Sequence, residues 1–353
     1  MLTTIGVVLA TIVISFLGFV LLLKFGIRWY FMRMVKAAQT MAASHQGMVA
    51  RISMQLRKTN FSDPRVHALM QQLKALGYVS AGRYEVDEMP TLKIWAGTHP
   101  KNGTLALVLE LNDRLHGTDL IRFYDNGAVL GAGTNPVYHA DRYPSHLQYR
   151  QFPPGTPMQD VAQWLAARPL QAGVVPATHE NLRQLNAKMY AELMDYQLSL
   201  PALLLPAWKD IVLKDAKSLG TTLPEMTDQQ WQAGYDAHLL SMAEATETAM
   251  KDHVLRSGTV SALEWDSIQH ELVYVYERLS AEDVAERALR HSEWTADEPR
   301  VDALLQQKLS HPALFEAIQQ LLPPDQRFRL LTEVSQPVAA RVYRPVQLAE
   351  SSF

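Results

Sequence analysis

The chain has 353 residues, enough for about two folded units, and a formal net charge of −3 at pH 7. Residues 1–62 carry only basic charges, so the remainder is acidic on balance, which argues against broad nucleic-acid binding. The chain has no cysteine, and this excludes disulfides, thiolate metal sites and cysteine nucleophiles.

Residues 1–23 contain no charged side chain and are mostly Leu, Ile, Val, Phe, Ala and Gly. As a helix, residues 2–23 would be roughly 33 Å long, which matches a bilayer core of ~30 Å. The sequence therefore predicts a single transmembrane anchor over 1–24, with residues 2–23 meeting the lipid bilayer. Lys24, Arg28, Arg33 and Lys36 follow it, with Trp29 and Tyr30 placed for the headgroup level. This charge bias predicts a signal-anchor with its N-terminus outside and its bulk cytoplasmic, as in a bacterial inner membrane protein. Residues 25–60 read as a basic juxtamembrane helix or linker.

The second segment, 61–170, reads as an α+β domain. Ser62-Asp63-Pro64 opens a helix, with Ser62 as its cap and Pro64 in its first turn; the helix carries Val66, Leu69, Met70, Leu73 and Leu76, and Gly77 closes it. Beyond it the period changes to two: Leu92, Ile94 and Ala96 alternate with polar or aromatic neighbours, and Ile121 and Phe123 alternate with Arg122. The run 105–111 is apolar on both faces, as a central strand is, and Asp125-Asn126-Gly127 reads as a tight turn. Short turns between successive strands predict an antiparallel sheet with flanking helices. Residues 158–167 supply the closing helix.

From 177 to 335 the pattern reads as all-helical. Thr227 to Gln230 and Ser261 to Glu264 match the capping box. Trp265, Ile268, Leu272, Val275 and Leu279 step by three and four, which predicts a helix over 261–279. Tyr274 and Tyr276 fall outside that stripe and are candidate contacts for a protein partner. Residues 336–353 read as an extended C-terminal tail.

Catalytic signatures are incomplete. Gly131 and Gly133 lack the Gly-Lys-Ser/Thr of a phosphate loop, and Asn135-Pro136 disfavours the helix that a dinucleotide fingerprint needs; a strand with close backbone approach fits better. His179-Glu180 and His270-Glu271 begin like zincin motifs but lack the second His. Asp266, His270 and Glu277 share a face of the predicted helix. His139, Asp141 and His146, with Asp125 and Asn126 across the turn, form a candidate polar pocket. The expectation is a membrane-anchored, cytosolic-facing interaction or scaffold protein with an unknown protein partner, no nucleic acid, no cofactor and no metal. The alternative is a membrane-tethered enzyme or small-ligand-binding protein that uses the 125–146 region.

Overall fold

The computed structural model describes residues 48–135, 143–168, 173–218, 223–292 and 299–346. Asp63, rather than the predicted Ser62, is the N-cap of the first helix. Its carboxylate caps helix α1 (Pro64–Ala75) by accepting from Arg65 N at 2.9 Å, and it also accepts from Leu115 N at 2.9 Å. The fully buried Glu110 carboxylate accepts from Ser62 N and Asp63 N, at 2.8 and 2.7 Å, and from Lys93 Nζ at 3.2 Å. One anion on a central strand thus satisfies backbone N–H groups just before the first turn of α1, and Lys93 compensates its burial.

The main sheet follows the order β1 (Met54–Leu56), β2 (Val79–Val86), β3 (Met89–Thr98), β4 (Leu105–Leu111), β5 (Arg114–Tyr124), β6 (Val129–Gly133) and β7 (Leu147–Gln151). Neighbours pair antiparallel except β6 and β7, which run parallel. A parallel pair needs a crossover rather than a hairpin, which is why the 134–146 connection is long. Helix α2 (Met158–Ala166) follows, and the short β8 (Val174–Val175) pairs with the end of β5. Both faces of the sheet are covered. Leu73, Trp95, Val108, Leu120 and Ala132 pack with α1 and α2 on one face. Ile94, Leu107, Ile121, Phe123 and Val129 pack with Leu182 and Leu185 of helix α3 (Leu182–Ser199) on the other.

Residues 204–237 group apart from the rest of the described chain. They hold helix α4 (Leu205–Ser218) and the start of helix α5 (Asp228–Arg256), where Trp208 meets Trp231 edge-on at 6.1 Å between ring centroids.

The region read as all-helical contains a second sheet. Helix α6 (Ala262–Ile268) is capped by Ser261 and ends well short of residue 279; strand β9 (Val273–Tyr276) follows. Helices α7 (Ala281–Ala288), α8 (Pro299–Leu305) and α9 (His311–Leu321) lead to strands β10 (Phe328–Val334) and β11 (Ala340–Pro345). The three strands are antiparallel in the order β10-β11-β9. Val273 and Val275 pack with α7 to α9, while Tyr274 and Tyr276 pack with Met250, Trp265 and Ile268. The Val-Tyr-Val-Tyr run is apolar on both faces, so it satisfies a helical stripe and a doubly covered strand equally; its β-branched and aromatic composition decides for the strand.

The architecture is therefore a sheet-rich α+β fold, not an α+β domain followed by an all-α domain. The predicted extended tail is corrected in the same way: 340–345 is the middle strand of the second sheet, and 347–353 lies outside the described residues. Of the segment predicted as a juxtamembrane helix or linker, residues 25–47 lie outside the described residues, and 48–60 hold strand β1 and its flanks. Among the described residues no helix is long and apolar enough to cross a membrane. The single-pass anchor, its signal-anchor character and the outside-to-cytoplasm topology thus have no support in the structure. Residues 1–24, with Lys24, Arg28, Trp29, Tyr30, Arg33 and Lys36, lie outside the described residues.

Candidate functional site

Of the residues predicted to line a polar pocket, the structure describes Asp125, Asn126 and His146, and each makes its own local contacts. Asp125 and Asn126 are turn residues: Asp125 N donates to Gly173 O at 2.7 Å, and Asn126 Oδ1 accepts from Ala128 N at 3.0 Å. His146 lies at the start of β7, with Nε2 3.3 Å from the exposed Glu192 carboxylate. His139 and Asp141 lie outside the described residues. Tyr274 and Tyr276 are 1% and 3% exposed, so they belong to the chain's own core and are not open to a partner. The predicted helix face of Asp266, His270 and Glu277 is broken by the end of α6 at Ile268 and the start of β9.

A different group assembles at the opposite end of β6. Along β5, Asp119 is in phase with Ile121 and Phe123, so it points into the same covered face of the sheet. Across the ladder it pairs with Gly133, while Gly131 pairs with Tyr149 of β7. Neither glycine has room for a side chain. A Cβ at Gly131 would lie 2.7 Å from the Tyr149 ring, and one at Gly133 would lie 2.5 Å from Asp119 Oδ1 and 2.6 Å from the Tyr149 hydroxyl. The ring therefore lies flat across β6 and its hydroxyl donates a short hydrogen bond to Asp119 Oδ1. Asn135 Nδ2 donates to Asp119 Oδ2 at 3.1 Å. Tyr143 stacks on Tyr149 with 6.2 Å between ring centroids.

The electrostatics follow from that enclosure. Asp119 is 8% exposed, and burial pushes its pKa up to about 6 against the opposing pull of Tyr149 and Asn135. Among the described residues the hydrogen bonds it accepts come from neutral groups, and none of their cations offsets its burial. Burial and the neighbouring Asp119 charge push the Tyr149 phenol far above its ordinary value, so it stays a donor. Burial also raises Tyr143. Two polar atoms nearby in the chain are buried with no hydrogen-bond partner: Asn135 Oδ1, and Nδ1 of His116 in the β5 bulge. Burial lowers the His116 pKa, which keeps its ring neutral. Chemically the group offers one carboxyl that exchanges its proton near neutrality, fixed phenol and amide donors, and the unpaired Asn135 Oδ1. Among the described residues no cluster of three or more His, Asp or Glu side chains could hold a metal ion.

Comparison with known proteins finds no matching family model, no matching curated protein and no matching solved structure. Sequence reasoning passed over Asp119 because one acidic residue in a strand ordinarily marks a solvated face. The available signal was its phase with Ile121 and Phe123, opposite a Gly-Ala-Gly strand that leaves space for a ring.

Proposed function

We propose that the protein is a small-ligand-binding protein whose site is the Asp119–Tyr149 centre, and that occupancy is coupled to the proton on Asp119. The observation that supports this reading is a buried carboxyl with a pKa of about 6, held among the described residues by neutral donors, with Asn135 Oδ1 left unpaired beside it. Buried polar groups are nearly always satisfied, and an unpaired acceptor next to a titrating acid is the arrangement that a polar ligand completes. A ligand that donates hydrogen bonds meets an acceptor-only carboxylate above pH 6; a ligand that accepts meets the neutral acid below it. The carboxyl is also suited to general acid or base work, but no activated nucleophile accompanies it in the described geometry, so binding is the function that the site carries.

The test is a panel of small alcohols, amides and carboxylic acids, screened by NMR on the full chain at pH 5 and pH 8. Binding should shift the Tyr143 and Tyr149 ring resonances. Affinity should change with a midpoint about pH 6 and lose that dependence in Asp119→Asn. Ligands that perturb other resonances, or bind Asp119→Asn with an unchanged pH profile, would remove the reading.

A further inference from the structure

We infer that the protein carries a second site, on the other face of β5, that binds a small oxyanion through Arg122 with the hydroxyls of Thr104 and Tyr78. Arg122 is 2% exposed, and neither Nε nor Nη1 has a hydrogen-bond partner. No carboxylate of the described residues forms an ion pair with it. A guanidinium cannot escape its charge by losing a proton, because its pKa exceeds 12. A buried charge without a partner is among the costliest arrangements a fold can hold.

The surroundings supply further donors. Thr104 immediately precedes β4, whose first residue, Leu105, pairs with Ile121; the next pairing along the β5 edge belongs to β8, through Phe123 and Val175. Arg122 therefore stands where the partner of β5 changes from β4 to β8, and Thr104 falls beside it. Gly103 and Pro176 close this junction: a Cβ on Gly103 would lie 2.7 Å from Pro176 Cα. The Thr104 hydroxyl is fully buried, and its interaction is with the Tyr78 phenol rather than with an anion of the described residues. The Tyr78 phenol lies beside Thr104 and within the field of Arg122, and burial keeps it protonated. A guanidinium and two hydroxyls share this face of the sheet with no anionic acceptor among them. Phosphate, sulfate and carboxylate groups provide the missing negative charge and acceptor oxygens. The site is independent of the Asp119 centre, since residues 119 and 122 point to opposite faces of the strand.

The experiment is thermal unfolding of the full chain in chloride buffer with added inorganic phosphate, sulfate or acetate at matched ionic strength. Wild type should gain about 2 °C or more, and the gain should saturate. Non-specific salting effects of phosphate and sulfate do not saturate. A larger response to phosphate and sulfate assigns a tetrahedral oxyanion; a larger response to acetate assigns a carboxylate. Arg122→Met should abolish the saturating part, Arg122→Lys should reduce it, and Asp119→Asn should keep it. Absence of a saturable response in wild type overturns the site whatever the variants do. If Arg122→Met does not fold, an Arg122→Lys response equal to wild type overturns it as well.

Discussion

Tyr149 reaches Asp119 by lying across the backbone of β6, and it can do so only because positions 131 and 133 are glycine. The sequence feature that resembles a phosphate loop therefore does something else. Its glycines remove the Cβ atoms that would hold the phenol away from the carboxyl.

Gly133→Ala tests this directly. The new Cβ would lie 2.0 Å from Thr118 O, with backbone on that side that cannot swing away. Overpacking of this kind costs about 1–3 kcal/mol, and here it also breaks the hydrogen bond to Asp119. Gly127→Ala is the control, because nothing lies within 4 Å of its Cβ and only its φ of +82° is strained. That strain costs about 1–2 kcal/mol. Carboxyl NMR should show the Asp119 titration displaced in Gly133→Ala and unchanged in Gly127→Ala. Equal displacement in both would detach the glycines from the site.

The Asp119 carboxyl makes stability depend on pH in a defined sense. Its folded pKa of about 6 lies above the ordinary 3.8, so the folded state holds the proton more tightly. The stabilising contribution is complete below pH 3.8 and is lost as pH rises through about 6. A shift of roughly two units corresponds to about 3 kcal/mol. Asp119→Asn cannot ionise and keeps an oxygen for Tyr149. Its stability relative to wild type should therefore rise between pH 4.5 and pH 7.5 by up to that amount, measured by urea unfolding. A constant difference across the range would show that Asp119 is not buried as an acid.

How much of this was legible depends on how local each signal is. Helix α1 follows from Ser62-Asp63-Pro64, a spaced apolar face and Gly77, all within sixteen residues. The strand character of 92–96, 105–111 and 121–123 follows from alternation or from a doubly apolar run. What failed depends on what covers a face. Arg122 alternates with Ile121 and Phe123 as a solvated residue would, yet α1 and α2 cover that face, so the residue is buried. Val273 to Tyr276 fits two periods at once; its composition favours a strand, and the β11 partner that completes it lies about seventy residues later. The Asp119 centre draws on β5, β7 and Asn135, and no local window holds all of them.

Asp195 on α3 joins the segment before β1 to helix α5. Arg51 Nη1 lies 2.8 Å from Asp195 Oδ1, and His253 Nε2 lies 2.9 Å from Oδ2. Arg51 also bonds Asp252, at 2.5 Å. Burial raises the Asp195 pKa, but the His253 and Arg51 hydrogen bonds outweigh it and the net direction is down. A lowered carboxyl pKa stabilises above its unfolded value, and that contribution is lost as pH falls through the folded value. Asp195→Ala leaves Arg51 short of an acceptor in a half-buried place and should cost about 3 kcal/mol, the lower end for broken buried pairs. The difference from wild type should shrink on acidification. A difference that grows at low pH would reverse the assigned direction.

Tyr274 and Tyr276 give the last prediction, because their rings and their hydroxyls have opposite value. The rings are enclosed by Met250, Trp265, Ile268 and Val342, so truncation to Ala should cost about 3–5 kcal/mol at each position. The hydroxyls are buried without a hydrogen-bond partner, and burial pushes the Tyr276 phenol up to about 12. An unpaired buried hydroxyl carries a desolvation penalty of about 1–3 kcal/mol, which Phe removes while filling the same space. Tyr274→Phe and Tyr276→Phe should therefore be neutral or stabilising in urea unfolding, while the Ala variants are strongly destabilised. A loss above about 1 kcal/mol in either Phe variant would mean that its hydroxyl is bonded in solution, to a buried water or to a group that moves toward it.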